Sequence, residues 1–325
     1  MTIENENSAM KSFEFRNGDL IEAIGLGTWK SSPGKVGEAV KKALKTGYRH
    51  IDCAAVYGNE TEIGNALDEV FSTTDIRRDD VHITSKLWNT AHRKQDVIPA
   101  LKKSLADLRL DYLDLYLMHW PVAFRPGLDG FPQGEEDYLS LEEVPIIETW
   151  EAMLEAKKDG LIRHAGVSNF SIKKLEDLKH KTDDFPEMNQ VELHPYLQQD
   201  DLIKYGKENE MLITAYSPLG SSDRPETMKA DDEPALLDND VIQEIAEKHD
   251  ASPAQILIKW AVERDTIVIP KSTHPGRIEE NLKSAAIELD EKDHKEIKKL
   301  NIPYRYLKGD MFETESGMYR NVFDD

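Results

Sequence analysis

"YLDLYLMHW", Tyr112 to Trp120, is apolar on both faces of any strand it could form and closes on an ionisable side chain, His119. A run of that kind suits a parallel sheet covered by helices rather than a sheet with one wet face. Seven other runs share its character: "AIGLGTW", "HIDCA", "VHITSKLW", "HAGVSNF", "MNQVEL", "MLITAYSPL" and "TIVIPKS". They alternate with amphipathic stretches of helical period. Between the first two in chain order, Val36, Val40, Ala43 and Leu44 recur at helical spacing and Gly47 ends the segment. Between the last two, "DASPAQILIKWAVERD" offers Ser252 as N-cap and Pro253 at the first helical position. Eight strand–helix units in 325 residues, without a linker or a break in composition, predict a single α/β domain, a closed (β/α)8 TIM barrel. The alternative is an open doubly wound sheet, but its fingerprint is missing. Gly25 and Gly27 are present, yet Lys30 stands where G-x-G-x-x-G needs glycine. "GTWKSSPGKV" is no P-loop either, because its glycine spacing is wrong and Val36 replaces Ser/Thr.

Near the N-terminus "FEFRNGDLIEA" is two short alternating runs joined by Asn17-Gly18, the favoured dipeptide of a type I′ hairpin. The predicted domain, 1–325, is thus a hairpin at about 12–23, a barrel at about 24–302 and a C-terminal loop at about 303–325. Three stretches interrupt the rhythm: Pro121–Pro145, Ser221–Asp240 and the tail beyond Pro303. Loops this long in a compact domain are usually functional or disordered. In a barrel the first two follow strands four and seven and lie on one face. With the tail folded over the same face, a pocket wall built from three pieces is expected.

Composition narrows the function. The chain carries 62 acidic against 41 basic residues, a net charge of −21, and such a field repels nucleic-acid phosphates. An anionic ligand would need a local basic site. No apolar run reaches the roughly 18 residues of a membrane span, and the polar start lacks the pattern of a signal peptide. A single cysteine, Cys53, fits a reducing compartment and reads as a packed thiol. Cytoplasmic localisation is the expectation.

The strand ends carry the chemistry. Asp52 ends the second run, Lys86 the third and His119 the fourth; Ser168 and Asn169 end the fifth, Gln190 lies in the sixth, Tyr216 ends the seventh and Lys271 the eighth. Each alone could be a cap or half of a salt bridge, Asp52 for the following helix. Together, in a barrel, they converge on the mouth where this fold carries its chemistry. Tyr57, five residues past Asp52, joins them. A neighbouring ammonium lowers a phenol's pKa, so Asp52, Tyr57 and Lys86 could form a tuned proton donor with His119 as a further hydrogen-bond donor. That set suits protonation of an oxygen while another group supplies a hydride. Acyl transfer is disfavoured because no Ser or Cys nucleophile with a base is evident. No metal site is expected, since the ten histidines show no HxH or HExxH spacing. In "PKSTHPGR", Lys271, Ser272, Thr273 and Arg277 surround a predicted helix start. They read either as an anion site or as a basic helix end with an ordinary Ser/Thr cap.

The chain resembles the aldo-keto reductase family over nearly its whole length. "GLGTWK", "HIDCAAVYGNE", "TSKLWN", "YLDLYLMHWP", "GVSNF", "QVELHPYLQQ", "AYSPLGSSDRP" and "IPKSTHPGRIEEN" match that family's blocks in order, with wording closest to its aldehyde reductase (NADP-dependent alcohol dehydrogenase) branch. The resemblance implies a (β/α)8 barrel closed below by the N-terminal hairpin, and reduction of aldehydes, ketones or aldoses by NADPH. It implies Tyr57 as general acid, tuned by Lys86 and Asp52, with His119 orienting the carbonyl. Ser168, Asn169 and Gln190 would hold the nicotinamide carboxamide and Tyr216 would stack on its ring. Thr28, Trp29 and Lys30 would also meet the cofactor, while Ser217, Leu219 and Ser221 follow the pyrophosphate. The anion site of Lys271, Ser272, Thr273 and Arg277 would take the 2′-phosphate, and Glu280 and Asn281 would reach the adenine. Lys30, Asp223 and Lys271 occupy the positions that close the family's strap over the cofactor. Trp29, Trp88, Trp120 and Phe131 would line an apolar substrate pocket. Family members are often monomers, and a small carbonyl compound is the expected partner. The tail "YRYLKGDMFETESGMYRNVFDD" departs from the branch's pattern, leaving Arg320 an unaligned counterpart of its arginine for acidic substrates. A non-catalytic NADPH-binding protein is the second reading; all four catalytic positions being filled counts against it.

Overall fold

The computed structural model describes residues 10–128, 130–222, 224–230 and 232–324. The N-terminal runs pair antiparallel as β1 (Ser12–Glu14) and β2 (Leu20–Glu22). The eight apolar runs become β3 (Leu26–Gly27), β4 (His50–Asp52), β5 (His82–Leu87), β6 (Leu113–Met118), β9 (Ile162–Ser168), β10 (Met188–Glu192), β11 (Leu212–Tyr216) and β12 (Ile267–Val268). A further antiparallel pair, β7 (Ala123–Phe124) and β8 (Tyr138–Leu139), folds within the Pro121–Pro145 stretch. The eight strands are parallel and neighbour one another in chain order. Parallel bridges Ile24–Val268 and Gly27–Lys271 join the last strand to the first. This seam needs a glycine: a Cβ on Gly27 would lie 2.6 Å from the Ile269 carbonyl oxygen.

Each strand is followed by a helix that returns the chain: α1 (Val36–Thr46), α2 (Glu60–Thr73), α3 (Lys94–Leu108), α4 (Ile146–Lys158), α5 (Ile172–Lys179), α6 (Asp200–Glu208), then α8 (Pro253–Glu263) and α9 (Pro275–Lys283). The extra helices α7 (Asp240–Lys248) and α10 (Glu291–Lys298) are tied by Lys248 and His249 to Asp293. Helix α1 buries Val36, Val40, Ala43 and Leu44 and stops at Gly47, whose φ is 123°. Helix α8 starts as its sequence dictates: Ser252 Oγ accepts from Gln255 N–H, the Gln255 side chain returns to Ser252 N–H, and Pro253 occupies the first turn. The main core lies between strands and helices, where each buried Leu, Ile or Val contributes roughly 1.5–3 kcal/mol. Among the described residues no helix is long and apolar enough to cross a membrane.

The hairpin forms the floor of the barrel. Phe15 and Ile21 pack inside it against Leu115, Leu117, Met188 and Ile267. The Phe15 ring stacks 3.8 Å from His164 and 5.8 Å from His82, and His164 is tied to Glu187 and to Asp19 of the hairpin. The turn is not the expected type I′. Gly18 takes φ 92° and donates to Phe15 O, while Phe15 N–H donates to Asp19 O, giving a three-residue connection. Asn17 Oδ1 accepts from Asp19 N–H at 3.0 Å, a local contact that competes with the conformation a two-residue turn requires.

Candidate active site

Strand β4 ends at Asp52, and a short turn, Ala55–Tyr57, closed by Gly58 at φ 66°, carries Tyr57 to the mouth. Asp52 does not cap the next helix. Its two carboxylate oxygens accept from Lys86 Nζ at 2.5 Å and from Gln190 Nε2 at 2.8 Å. Lys86, fully buried at the end of β5, spends its other two protons on Cys53 O (2.8 Å) and Tyr57 Oη (3.4 Å). The sequence thus brings groups from positions 52, 57, 86 and 190 into one chain of contacts, held in place because a buried charge must be matched. His119 joins it from the end of β6, its ring 5.9 Å from Tyr57 and 5.4 Å from Trp88. Its Nδ1 is buried without a partner among the described residues. Asn169 braces the rim: its Nδ2 donates to His119 O at 2.9 Å and its Oδ1 accepts from Tyr216 Oη at 2.8 Å. Ser168 Oγ donates to Gln190 O.

The electrostatics differ from the sequence expectation at one point. Burial pushes the Tyr57 phenol up to about 12, more than the neighbouring Lys86 pulls it down, and Asp52 adds to the rise. The phenol is therefore protonated at neutral pH rather than poised near it. Burial would lower Lys86, but Asp52 and Tyr57 reverse that and keep it raised and charged. Burial, with Lys86 adding, holds His119 well below the ordinary imidazole range, so the ring is neutral. A protonated phenol beside a fixed ammonium and a neutral imidazole can donate hydrogen bonds and a proton to an oxygen placed between them.

These groups open into a cavity of about 950 Å³ at the C-terminal ends of the strands. It is lined by Thr28, Trp29, Lys30, Asp52, Tyr57, Trp88, His119, Trp120, Phe131, Ser168, Asn169, Gln190, Tyr216, Ser217, Leu219, Ser221, Lys271, Ser272, Thr273, Arg277, Glu280 and Asn281. Lys86 lies beneath Tyr57, and Asp223 lies outside the described residues. Two ends can be distinguished. At one, Lys271 and Arg277 flank the start of α9 with Ser272 and Thr273. The ordinary Ser/Thr cap is not what the structure shows, because His274 caps this helix through a bond from Arg277 N–H. Lys30 Nζ reaches Ser221 Oγ across the groove at 2.8 Å, and Lys271 Nζ donates to Lys30 O. Two hydroxyls, two cations and a helix N-terminus form a donor set that fits a phosphate ester. Among the described residues no group of three His, Cys, Asp or Glu side chains is placed to hold a metal ion.

The other end is aromatic. Trp88 meets Phe131 at 5.6 Å, and Trp120 packs on Phe312 of the tail at 4.8 Å. Leu307, Met311 and Phe312 line this end and were not foreseen, since the tail has no periodic pattern to read. Arg320 does not enter the cavity; it pairs with Glu313 on the surface. Glu192 was also missed. This buried carboxylate at the end of β10 accepts from Tyr306 N–H and Leu307 N–H at 2.6 and 2.8 Å. An acid in "QVELHP" at a strand end is the same signal that singled out Asp52.

Residues 23–302 match the model of the Aldo/keto reductase family. The chain is 48% identical over 323 residues to an aldo/keto reductase of Synechocystis sp., covering 99% of this chain and 98% of that one. It is 47% identical over 291 residues to aldo-keto reductase family 1 member A1 of Homo sapiens, covering 89% of each. Among solved structures, an aldose reductase from Schistosoma japonicum superimposes with a TM-score of 0.86 at 38% identity, covering 95% of this chain and 98% of that one.

Proposed function

The chain belongs to the aldo/keto reductase family, and from that premise we propose that it reduces aldehydes to alcohols with NADPH, Tyr57 acting as general acid. The observation that carries this reading is the Tyr57 phenol, 3.4 Å from the buried Lys86 ammonium and 5.9 Å, ring to ring, from His119, facing a cavity whose other end fits a phosphate ester. The carbonyl oxygen sits between Tyr57 and His119, takes a hydrogen bond from His119 and receives the Tyr57 proton as negative charge develops on it. Lys86 stabilises the phenolate left behind, and Asp52 with Gln190 fixes the ammonium in place. NADPH, when bound, supplies the hydride to the carbonyl carbon. Ser168, Asn169 and Gln190 would hold its carboxamide and Tyr216 its ring. Thr28, Trp29, Lys30, Ser217, Leu219 and Ser221 would follow it outward, with Glu280 and Asn281 at the adenine. Lys271, Ser272, Thr273 and Arg277 would take the 2′-phosphate, which favours NADPH over NADH.

Trp29, Trp88, Trp120, Phe131, Leu307, Met311 and Phe312 give the cavity a largely apolar wall. We therefore assign neutral aromatic or medium-chain aldehydes, rather than carboxylate-bearing sugars, as substrates. A free, fully buried Cys53 and the absence of a paired cysteine accord with a cytoplasmic enzyme. The test is loss of reduced-nicotinamide absorbance with benzaldehyde and with glucuronate, NADPH and NADH in parallel, and Tyr57→Phe as control. NADPH-dependent turnover of benzaldehyde, reduced 10²- to 10⁴-fold or more in the variant with cofactor binding kept, is expected. Tight NADPH binding without turnover of any aldehyde would overturn the catalytic reading, and a preference for glucuronate would overturn the substrate assignment.

A further inference from the structure

The segment after β11 and the C-terminal tail meet in a buried polar cluster that the proposed chemistry does not use. Its centre is Arg224, 2% exposed in a chain whose surface is rich in charge. Its guanidinium donates from Nε to Met228 O and from Nη1 to Ser221 O, both at 3.1 Å, and from Nη2 to Glu233. All three acceptors belong to its own loop, so Arg224 folds that loop on itself. The face of the guanidinium lies 5.0 Å from the ring of Tyr306, which belongs to the tail. Tyr306 grips the loop a second time, donating its hydroxyl proton to Pro234 O at 2.7 Å. Its backbone N–H, with that of Leu307, is held by Glu192 on the sheet. One residue therefore touches both limbs of the loop and the barrel, and its neighbour Leu307 lines the aromatic end of the cavity. At the loop's start, Ser221 is both the carbonyl that Arg224 holds and the hydroxyl that Lys30 reaches across the anion-binding groove.

We propose that Arg224 and Tyr306 are positioning residues that lock the loop over the cofactor end to the tail over the substrate end, so that the two open as one unit. The physics is that of a desolvated charge. Taking away one acceptor leaves the guanidinium buried and undersatisfied, so the cluster gives way as a whole rather than contact by contact. A loop that lifts carries the Arg224 guanidinium away and exposes the ring of Tyr306, and a tail that lifts removes the aromatic face and the hydroxyl that hold the loop. The consequence for the cofactor rests on the function proposed above; the coupling of loop and tail does not.

Two variants test it. Tyr306→Phe keeps the ring over Arg224 and deletes only the bond to Pro234 O; Arg224→Lys keeps the charge and loses the fork. Hydrogen exchange on the ligand-free protein should show residues 221–240 and 303–312 both exchanging about fivefold faster in Tyr306→Phe, the factor carried by one ordinary hydrogen bond. Arg224→Lys should exceed it, and strands β5 and β10 should be unaffected in either. Stopped-flow dissociation of NADPH, followed by its fluorescence, should quicken by a similar factor. Acceleration in one segment without the other, or in neither, would falsify the coupling. A wild-type chain that does not bind NADPH would instead defeat the cofactor reading, with the exchange result still deciding between linked and independent segments.

Discussion

At the mouth of the barrel Lys86 and Asp52 are buried as a charged pair, every proton of the ammonium having an acceptor. At the floor, His50 and His82, Cα partners across β4 and β5, are buried as neutral rings. Among the described residues His50 Nδ1 and His82 Nε2 lack a partner there, as does Glu22 Oε2. Both regions are polar and dry. They differ in what burial does to the group. At Lys86 a counter-charge outweighs desolvation and the ion persists; at His50 and His82 desolvation wins and the proton is given up. A counter-ion fixed at one site can stabilise charge that develops during a reaction, whereas a neutral ring only packs. That difference separates the end that can do chemistry from the end that holds the hairpin.

Lys86→Met should break the contrast most severely. It leaves Asp52 buried without its cation, a loss of about 3–5 kcal/mol in denaturant unfolding, and reductase activity should fall by roughly 10²–10⁴-fold. Combining it with Asp52→Asn should return much of the stability and none of the rate; a double variant as unstable as the single one would show that charge is not what the mouth requires. Phe15→Ala probes the other end. Removing the ring that stacks on His164 and His82 should cost about 3–5 kcal/mol while kcat stays within about twofold of wild type, measured by thermal unfolding beside steady-state assays. A smaller effect comes from acid. Burial holds His50 at about 4, below the ordinary 6.5, so the unfolded chain binds the proton first. Stability should therefore fall as pH drops from about 6.5 towards 4, by on the order of 2–3 kcal/mol for this ring. His82 is depressed in the same direction, and the cluster also faces Asp19, Glu22, Arg49, Arg78, Arg163, His164 and Glu187. His82→Phe should flatten the acid limb, and an unchanged slope of unfolding free energy against pH would place the sensitivity elsewhere.

The barrel was legible because its strands are buried on both faces and its helices on one, so two periods alternate along the chain. The mouth was legible because Asp52, Lys86, His119, Ser168, Gln190 and Tyr216 interrupt apolar runs near the same end. Glu192 apart, what escaped has no plain local signature. The Asp52–Gln190 bond joins residues 138 apart, and nothing near either names the other. The direction of the Tyr57 shift turned on a balance of burial against Lys86 that only a folded surface defines. The floor histidines come from three strands, and their neighbours look like ordinary strand residues. Leu307, Met311 and Phe312 belong to a tail of short turns, where apolar residues follow neither period. The turn at Asn17-Gly18 was misread because an Asn side chain that bonds its own backbone removes the geometry its dipeptide usually signals.

The seam of the barrel has a consequence in time. Asp52, Tyr57, Lys86 and His119 all lie within the first 119 of the 325 residues, but the groove that fits a phosphate ester needs Lys30 from the first strand's end and Lys271 to Asn281 from the last. Made in order, the chain supplies the residues at positions 52 to 119 long before the last of those that line the groove. Closure of the ring at Gly27 and Lys271 is then the last step that brings the two walls of that groove together.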